Sequence, residues 1–293
     1  MKRLALWVEY NGGRFGGFQR LTPRTEGLVR QGNPRLWKAQ ETVQEELESK
    51  LSLILGEPVK IFGSGRTDRG VHASGQVIAC DTNSPKSLES ILRSLNCILC
   101  EGVRVERGQW VAGDFHPRFS ARERVYHYYL WPGGPSRSPW LESFCWMLEE
   151  PLNLEAMKRA AQLLLGSHDF SAYTRSPEPG EARTRELRAL EVRSGVFNCD
   201  LAVGPWAGLG QMVCLEVRAN AFLRRMVRQL VANLTEVGRG RWPETRPYDI
   251  LISRNASLSA PPAPPQGLFL VQVDYGPTLT ATEATGQGLP GPP

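Results

Sequence analysis

The chain has 293 residues, 41% hydrophobic and 22% charged, which excludes a disordered or fibrous polymer and leaves one large or two ordinary globular domains. A net charge of +5 is too small to demand a polyanionic partner; 29 arginines against six lysines suit phosphate and base contacts without demonstrating them. No apolar run approaches the roughly 18 residues of a membrane span and the N-terminus carries no leader core, so a cytoplasmic protein with no membrane partner is expected.

Residues 3–9 alternate and are β-rich, as a strand requires. A glycine-rich basic loop then runs from Asn11 to about Ala39, and loops of that length are more often functional or disordered than structural. Residues 40–55 place Val43, Leu47, Leu51 and Ile54 on one helical face, with Gly56 as the stop. Strands follow near 58–63 and 75–81, a helix carries Leu88, Ile91, Leu92 and Leu95, and a strand covers 103–111. The order then recurs. A strand at 124–131 alternates Tyr126, Tyr128 and Leu130, and helix 153–165 has Asn153 as its cap and Gly166 as its end. Strands near 187–197 and 211–218 precede a long helix, 221–237, with Phe222, Met226, Leu230 and Leu234 along one stripe. A short helix near 244–253 and a strand at 268–274 close the pattern.

Two βαββαβ units predict an α/β (α+β) fold of two halves, 1–118 and 119–277, sharing a mostly antiparallel sheet with helices packed on it. Residues 259–265 read as a Pro-rich loop and 278–293 as a disordered tail. Six cysteines stand at 80, 97, 100, 145, 199 and 214. Only Cys97 and Cys100 have C-x-x-C spacing, without the second pair a zinc site needs, so all six are expected to be buried reduced thiols and no metal is expected. Gly12 to Gly17 lack G-x-G-x-x-G spacing and no phosphate loop is present, so no nucleotide cofactor is expected either.

The chemistry concentrates in Gly65-Arg66-Thr67-Asp68-Arg69-Gly70-Val71-His72-Ala73, between the apolar runs 59–62 and 76–80. Two glycines let the backbone turn sharply, and arginines on both sides of Asp68 favour the ionised carboxylate a nucleophile requires. On an extended backbone Arg66 faces the same way as Asp68. A salt-bridged turn would use the same residues.

This stretch resembles the signature of the TruA family of tRNA pseudouridine synthases, G-R-T-D-A-G-V-H. Tyr10 to Arg20 is similar to the family's opening motif, and Asp114 to Ala121 with Tyr126-His127-Tyr128 to its D-F-H-A-R-F-S-A and Y-x-Y. Gly166 to Ser171, Phe222 to Arg228 and Gly267 to Leu270 match later motifs, so the likeness covers about residues 3–276 in order. It implies the pseudouridine synthase fold, two pseudo-symmetric halves flanking a cleft, and conversion of uridine to pseudouridine in the tRNA anticodon stem-loop by a homodimer. It further implies Asp68 as nucleophile with Arg66 beside it, Arg228 paired with Asp68, Tyr126 on the target base and Leu268 as an apolar wall. Arg224, four residues before Arg228, is expected to share its side of the long helix, while Arg225 fits a solvated face. Arg14 and Arg20 read as phosphate contacts of a basic arm. Arg69, where the family has a small residue, departs from the pattern. Attack at C1′, attack at C6 and a glycal route all remain open, as do two rivals: a non-catalytic RNA-binding protein and a synthase for mRNA or another RNA.

Overall fold

The computed structural model describes residues 1–20, 41–133, 139, 141–174, 180, 182–195 and 212–276. Residues 21–40 of the basic loop, Cys199 and the tail 278–293 therefore lie outside the described residues.

Strand β1 (Lys2–Tyr10) is central to the first half, antiparallel to both β3 (His72–Thr82) and β4 (Val103–Val111). Its Leu4, Ala5, Leu6 and Val8 are fully buried, as expected of a strand paired on both edges. The two-residue β2 (Phe62–Gly63) pairs with one end of β3. Helix α1 (Val43–Leu55) starts at a capping box, Thr42 with Glu45, and stops at Gly56 in the left-handed region, φ 73°. Helix α2 (Leu88–Ile98) is capped by Ser87 and packs on α1 and β4.

The second half repeats the plan around β5 (Glu123–Trp131), which is antiparallel to β9 (Val213–Ala219) and β10 (Leu268–Asp274) and parallel to the short β6 (Trp146–Met147). Strand β8 (Thr184–Ser194) pairs with β9 and with β7 (Gly166–Asp169). Helix α3 (Leu154–Gln162) packs on β8 and on α4 (Met226–Gly238), which meets α5 (Arg246–Ser253). The sheet order is β4-β1-β3-β10-β5-β9-β8-β7. The two sets of strands meet where β10 runs parallel to β3 for two residues, Phe269 opposite His72 and Leu270 opposite Ala73. At Gly75 the backbones close so tightly that a Cβ would lie 2.1 Å from the Val271 carbonyl oxygen. One hydrophobic core runs through both sets, from Leu4 to Tyr275.

Three expectations are corrected. Helix 153–165 ends at Gln162 because Gly166, at φ 104°, turns the chain into β7, a strand whose polar residues carry no alternation to read. Helix 221–237 begins only at Met226, since Arg225 has φ 64° and cannot continue a helix backwards. Cys97 and Cys100 are exposed rather than buried, whereas Cys80, Cys145 and Cys214 are buried.

Candidate active site

Asp68 sits at the seam, on the turn that leads into β3. Its backbone is fixed from the N-terminal side. The Asp68 carbonyl accepts from Val71 N–H (3.1 Å), closing the turn, and Thr67 O accepts from Phe18 N–H (3.1 Å). Gly70 N–H donates to Gly12 O (3.2 Å). Only glycine fits at 12, because a Cβ there would stand 1.9 Å from the Val71 carbonyl oxygen. Gly17, at φ 110°, rests against the backbone of Thr67 and Arg69.

Beneath the turn lies a buried neutral network. The Tyr10 hydroxyl meets Thr67 Oγ1 at 2.8 Å, and Gln76 Nε2 donates to Tyr10 (3.3 Å) and to Gly65 O (3.0 Å). Ser64 Oγ donates to Gln76 Oε1 (2.6 Å). Satisfied buried groups of this kind resist alternative loop conformations, because each would leave a polar atom unpaired. His72 completes the frame. Its Nδ1 accepts from Gly12 N–H (3.2 Å) while Nε2 donates to Ser143 O (3.0 Å), and its ring stacks on Phe269 at 4.6 Å. Burial pushes its pKa below the ordinary histidine value.

The charges arrive from the other side. Arg228, on the first turn of α4, donates from Nη1 to Asp68 Oδ2 at 3.0 Å and from Nε to Ala263 O at 2.6 Å. Arg224 and Arg225 reach Asp68 at 3.8 and 3.9 Å. Arg228 dominates: its side chain is only 14% exposed and hydrogen-bonded, whereas Arg224 is 59% exposed, where ion pairs are screened. The expected helical pairing of Arg224 with Arg228 is replaced by a turn before α4, and Arg225 is exposed, as expected of a solvated residue, although its Nε also comes within 3.9 Å of Asp68. Loop 259–265 is held to α4 by buried amides: Asn233 Oδ1 accepts from Ala260 N–H (2.9 Å), Asn233 Nδ2 donates to Ser259 Oγ (3.3 Å), and Gln229 Nε2 donates to Ala260 O.

The Asp68 side chain is 24% exposed, so the carboxylate is open to a ligand. Tyr126 is buried, edge-on to Phe222 at 5.1 Å. Burial, with a smaller repulsion from Asp68, pushes its phenol up to about 12, so the hydroxyl keeps its proton at neutral pH. Leu268 is buried at the start of β10, beside Tyr128. Arg66 is exposed on the Asp68 turn, as is Arg69.

Arg14 and Arg20 are engaged with carboxylates: Arg14 Nη1 with Glu101 (2.9 Å), Arg20 with Glu45 (3.4 Å) and Glu48 (3.5 Å). Sequence reasoning missed Arg124, a buried side chain that donates to Ser64 O (3.2 Å), Arg118 O (2.5 Å) and Asn220 O (2.7 Å). Its signal was present, since Arg124 shares the inward register of Tyr126, Tyr128 and Leu130. Among the described residues no three His, Cys, Asp or Glu side chains gather as a metal site requires, and no helix is long and apolar enough to cross a membrane.

Comparison with known proteins gives a consistent result. The family described as tRNA pseudouridine synthase matches residues 160–276. Proteins named tRNA pseudouridine synthase A are similar over nearly the whole chain. That of Paraburkholderia phymatum is 34% identical over 290 residues, 99% of this chain and 97% of its own. That of a Thermoanaerobacter species is 34% identical over 94% of this chain and all of its own. That of Myxococcus xanthus is 36% identical over 94% of this chain and 92% of its own.

Proposed function

The chain belongs to the tRNA pseudouridine synthase A family, and we propose that it converts uridine to pseudouridine in tRNA with Asp68 as the nucleophile. The reaction breaks the N1–C1′ bond, turns the uracil and forms a C5–C1′ bond; one proton leaves C5 and one is gained at N1. It is redox-neutral and needs no group donor. Among the described residues, the ten-stranded, mostly antiparallel sheet with its five α-helices is consistent with the pseudouridine synthase fold.

One observation carries the assignment of Asp68: a partly exposed carboxylate with one oxygen tied to Arg228 at 3.0 Å and the other, Oδ1, approached at 3.8 Å by Arg224 among the described residues. Arg228 orients and neutralises the carboxylate without enclosing it, leaving Oδ1 free to approach an electron-poor carbon, as carboxylates do in glycoside hydrolysis. The target base must leave its stack, at a cost of a few kcal/mol. Tyr126 then lies against it with a neutral hydroxyl, and Leu268 closes the apolar side. Arg66 belongs to the site on its place in the motif. Arg224, more than half exposed beside Asp68, suits a phosphate of the same nucleotide. Arg14 and Arg20 suit more distant phosphates: exposed ion pairs are worth only about 0–1 kcal/mol, so a phosphate exchanges readily for Glu101 or Glu45.

The family likeness supports finer expectations: targets at about positions 38 to 40 of the anticodon stem-loop, flipped out singly, a homodimer, and a cytoplasmic setting. Residues 1–118 and 119–277 then act as the two halves whose seam is the catalytic cleft. Site-resolved mapping of pseudouridine on purified tRNAs treated with this protein tests the reading. New pseudouridine in the anticodon stem-loop is expected; none in any tRNA would overturn it.

A further inference from the structure

The stretch Asp114 to Ala121 plays no part in the reaction above, yet it carries the most open aromatic surface of the described residues. Phe119 is 77% exposed and Phe62, on β2, is 45% exposed. Single exposed apolar residues are ordinary; a cluster of rings is not. The His116 ring stands between the two, 4.5 Å from Phe119 and 5.3 Å from Phe62. The Arg118 guanidinium lies 5.7 Å over the Phe119 ring.

This surface is built, not incidental. Ser120 N–H donates to His116 O (2.9 Å), His116 N–H to Ser120 Oγ (3.1 Å), and Arg118 N–H to His116 Nδ1 (3.1 Å), so the turn holds the imidazole in place. The buried Arg124 joins the turn to the catalytic loop through Arg118 O and Ser64 O. Arg118, the cation against these rings, is itself exposed. Exposed π-faces with a guanidinium beside them complement a nucleobase with its phosphate, and every base presents such a face.

We propose that Phe62, His116 and Phe119 form a stacking platform for an unpaired nucleobase flanking the flipped uridine, with Arg118 against its phosphate. The proposal rests on the tRNA reading above and adds a second recognition element to it. Extrusion of the uridine strips its neighbours of a stacking partner, and the platform supplies a replacement from the segment that Arg124 ties to the Asp68 loop.

The test uses the full chain and an anticodon stem-loop RNA carrying 2-aminopurine at unpaired positions on either side of the target. Wild-type protein is expected to change the fluorescence at one position by stacking. Phe119→Ala should abolish that change and weaken binding about tenfold or more, while Phe119→Trp restores both and the melting temperature stays that of wild type. Wild-type affinity and fluorescence in Phe119→Ala would overturn the platform. So would a shift in oligomeric state with RNA affinity intact, which would make the patch a protein contact. Pseudouridine formation by the wild-type protein on the same RNA separates the two readings: if it occurs and Phe119→Ala binds normally, the platform alone fails.

Discussion

The two walls around Asp68 are made differently. The N-terminal wall, from β1 through the Gly12 turn to β3, holds the carboxylate's backbone with neutral groups: Tyr10, Ser64, Thr67, His72 and Gln76, with glycines at van der Waals limits. The C-terminal wall supplies charge, with Arg224, Arg225 and Arg228 all within 4 Å of one carboxylate. A nucleophile needs both a fixed position and a field, and here the two come from different elements that can be altered separately. Substitutions on the first wall should therefore act through stability, and those on the second through the reaction.

The sharpest way to break this division is Gly12→Ala. The added methyl meets the Val71 carbonyl at 1.9 Å, which only backbone displacement relieves, so a loss of about 3 kcal/mol or more is expected by thermal or urea unfolding. Wild-type stability would mean the turn is not under the restraint described. Next is Arg228→Lys, which keeps the charge but cannot bond both Ala263 O and Asp68. Losing a charged hydrogen bond of about 1.5–3 kcal/mol predicts a 10- to 100-fold lower kcat with little change in melting temperature. A large stability loss instead would place Arg228 with the structural wall.

A third effect depends on pH. Because burial lowers the His72 pKa in the folded state, the unfolded chain takes up a proton first as pH falls below about 6.5. Stability is then full above that value and declines below it, by at most about 1.4 kcal/mol per pH unit for this group. His72→Gln, which retains a donor and an acceptor, should reduce the slope. His116 and His127 are also depressed by burial, so some slope remains. An unchanged slope would remove His72 from the frame. Smallest is Tyr10→Phe, which deprives Thr67 and Gln76 of a partner and should cost about 1 kcal/mol of stability.

Much of this was legible in the chain. Alternation along β1 and β5 located two interior strands, and the motif around Asp68 with Tyr126 and Arg228 named residues that the fold does bring together. What was not legible depends on tertiary context. Nothing in a run of arginines announces that Arg225 adopts a left-handed conformation, yet that conformation starts α4 late and turns Arg224 and Arg225 toward Asp68. Strand β7 has no apolar alternation and exists because β8 offers it an edge. Cys97, in the last turn of α2, and Cys100, just past its end, are exposed, which periodicity alone could not fix.

The central claim is that the Asp68 carboxylate opens the glycosidic bond. The most direct measurement compares Asp68→Asn with wild type, following pseudouridine formation on anticodon stem-loop RNA and the Kd for the same RNA. The side chains are nearly isosteric, so RNA should still bind. The account predicts pseudouridine at background level with the Kd within a few fold of wild type. Pseudouridine formation at the wild-type rate would contradict it.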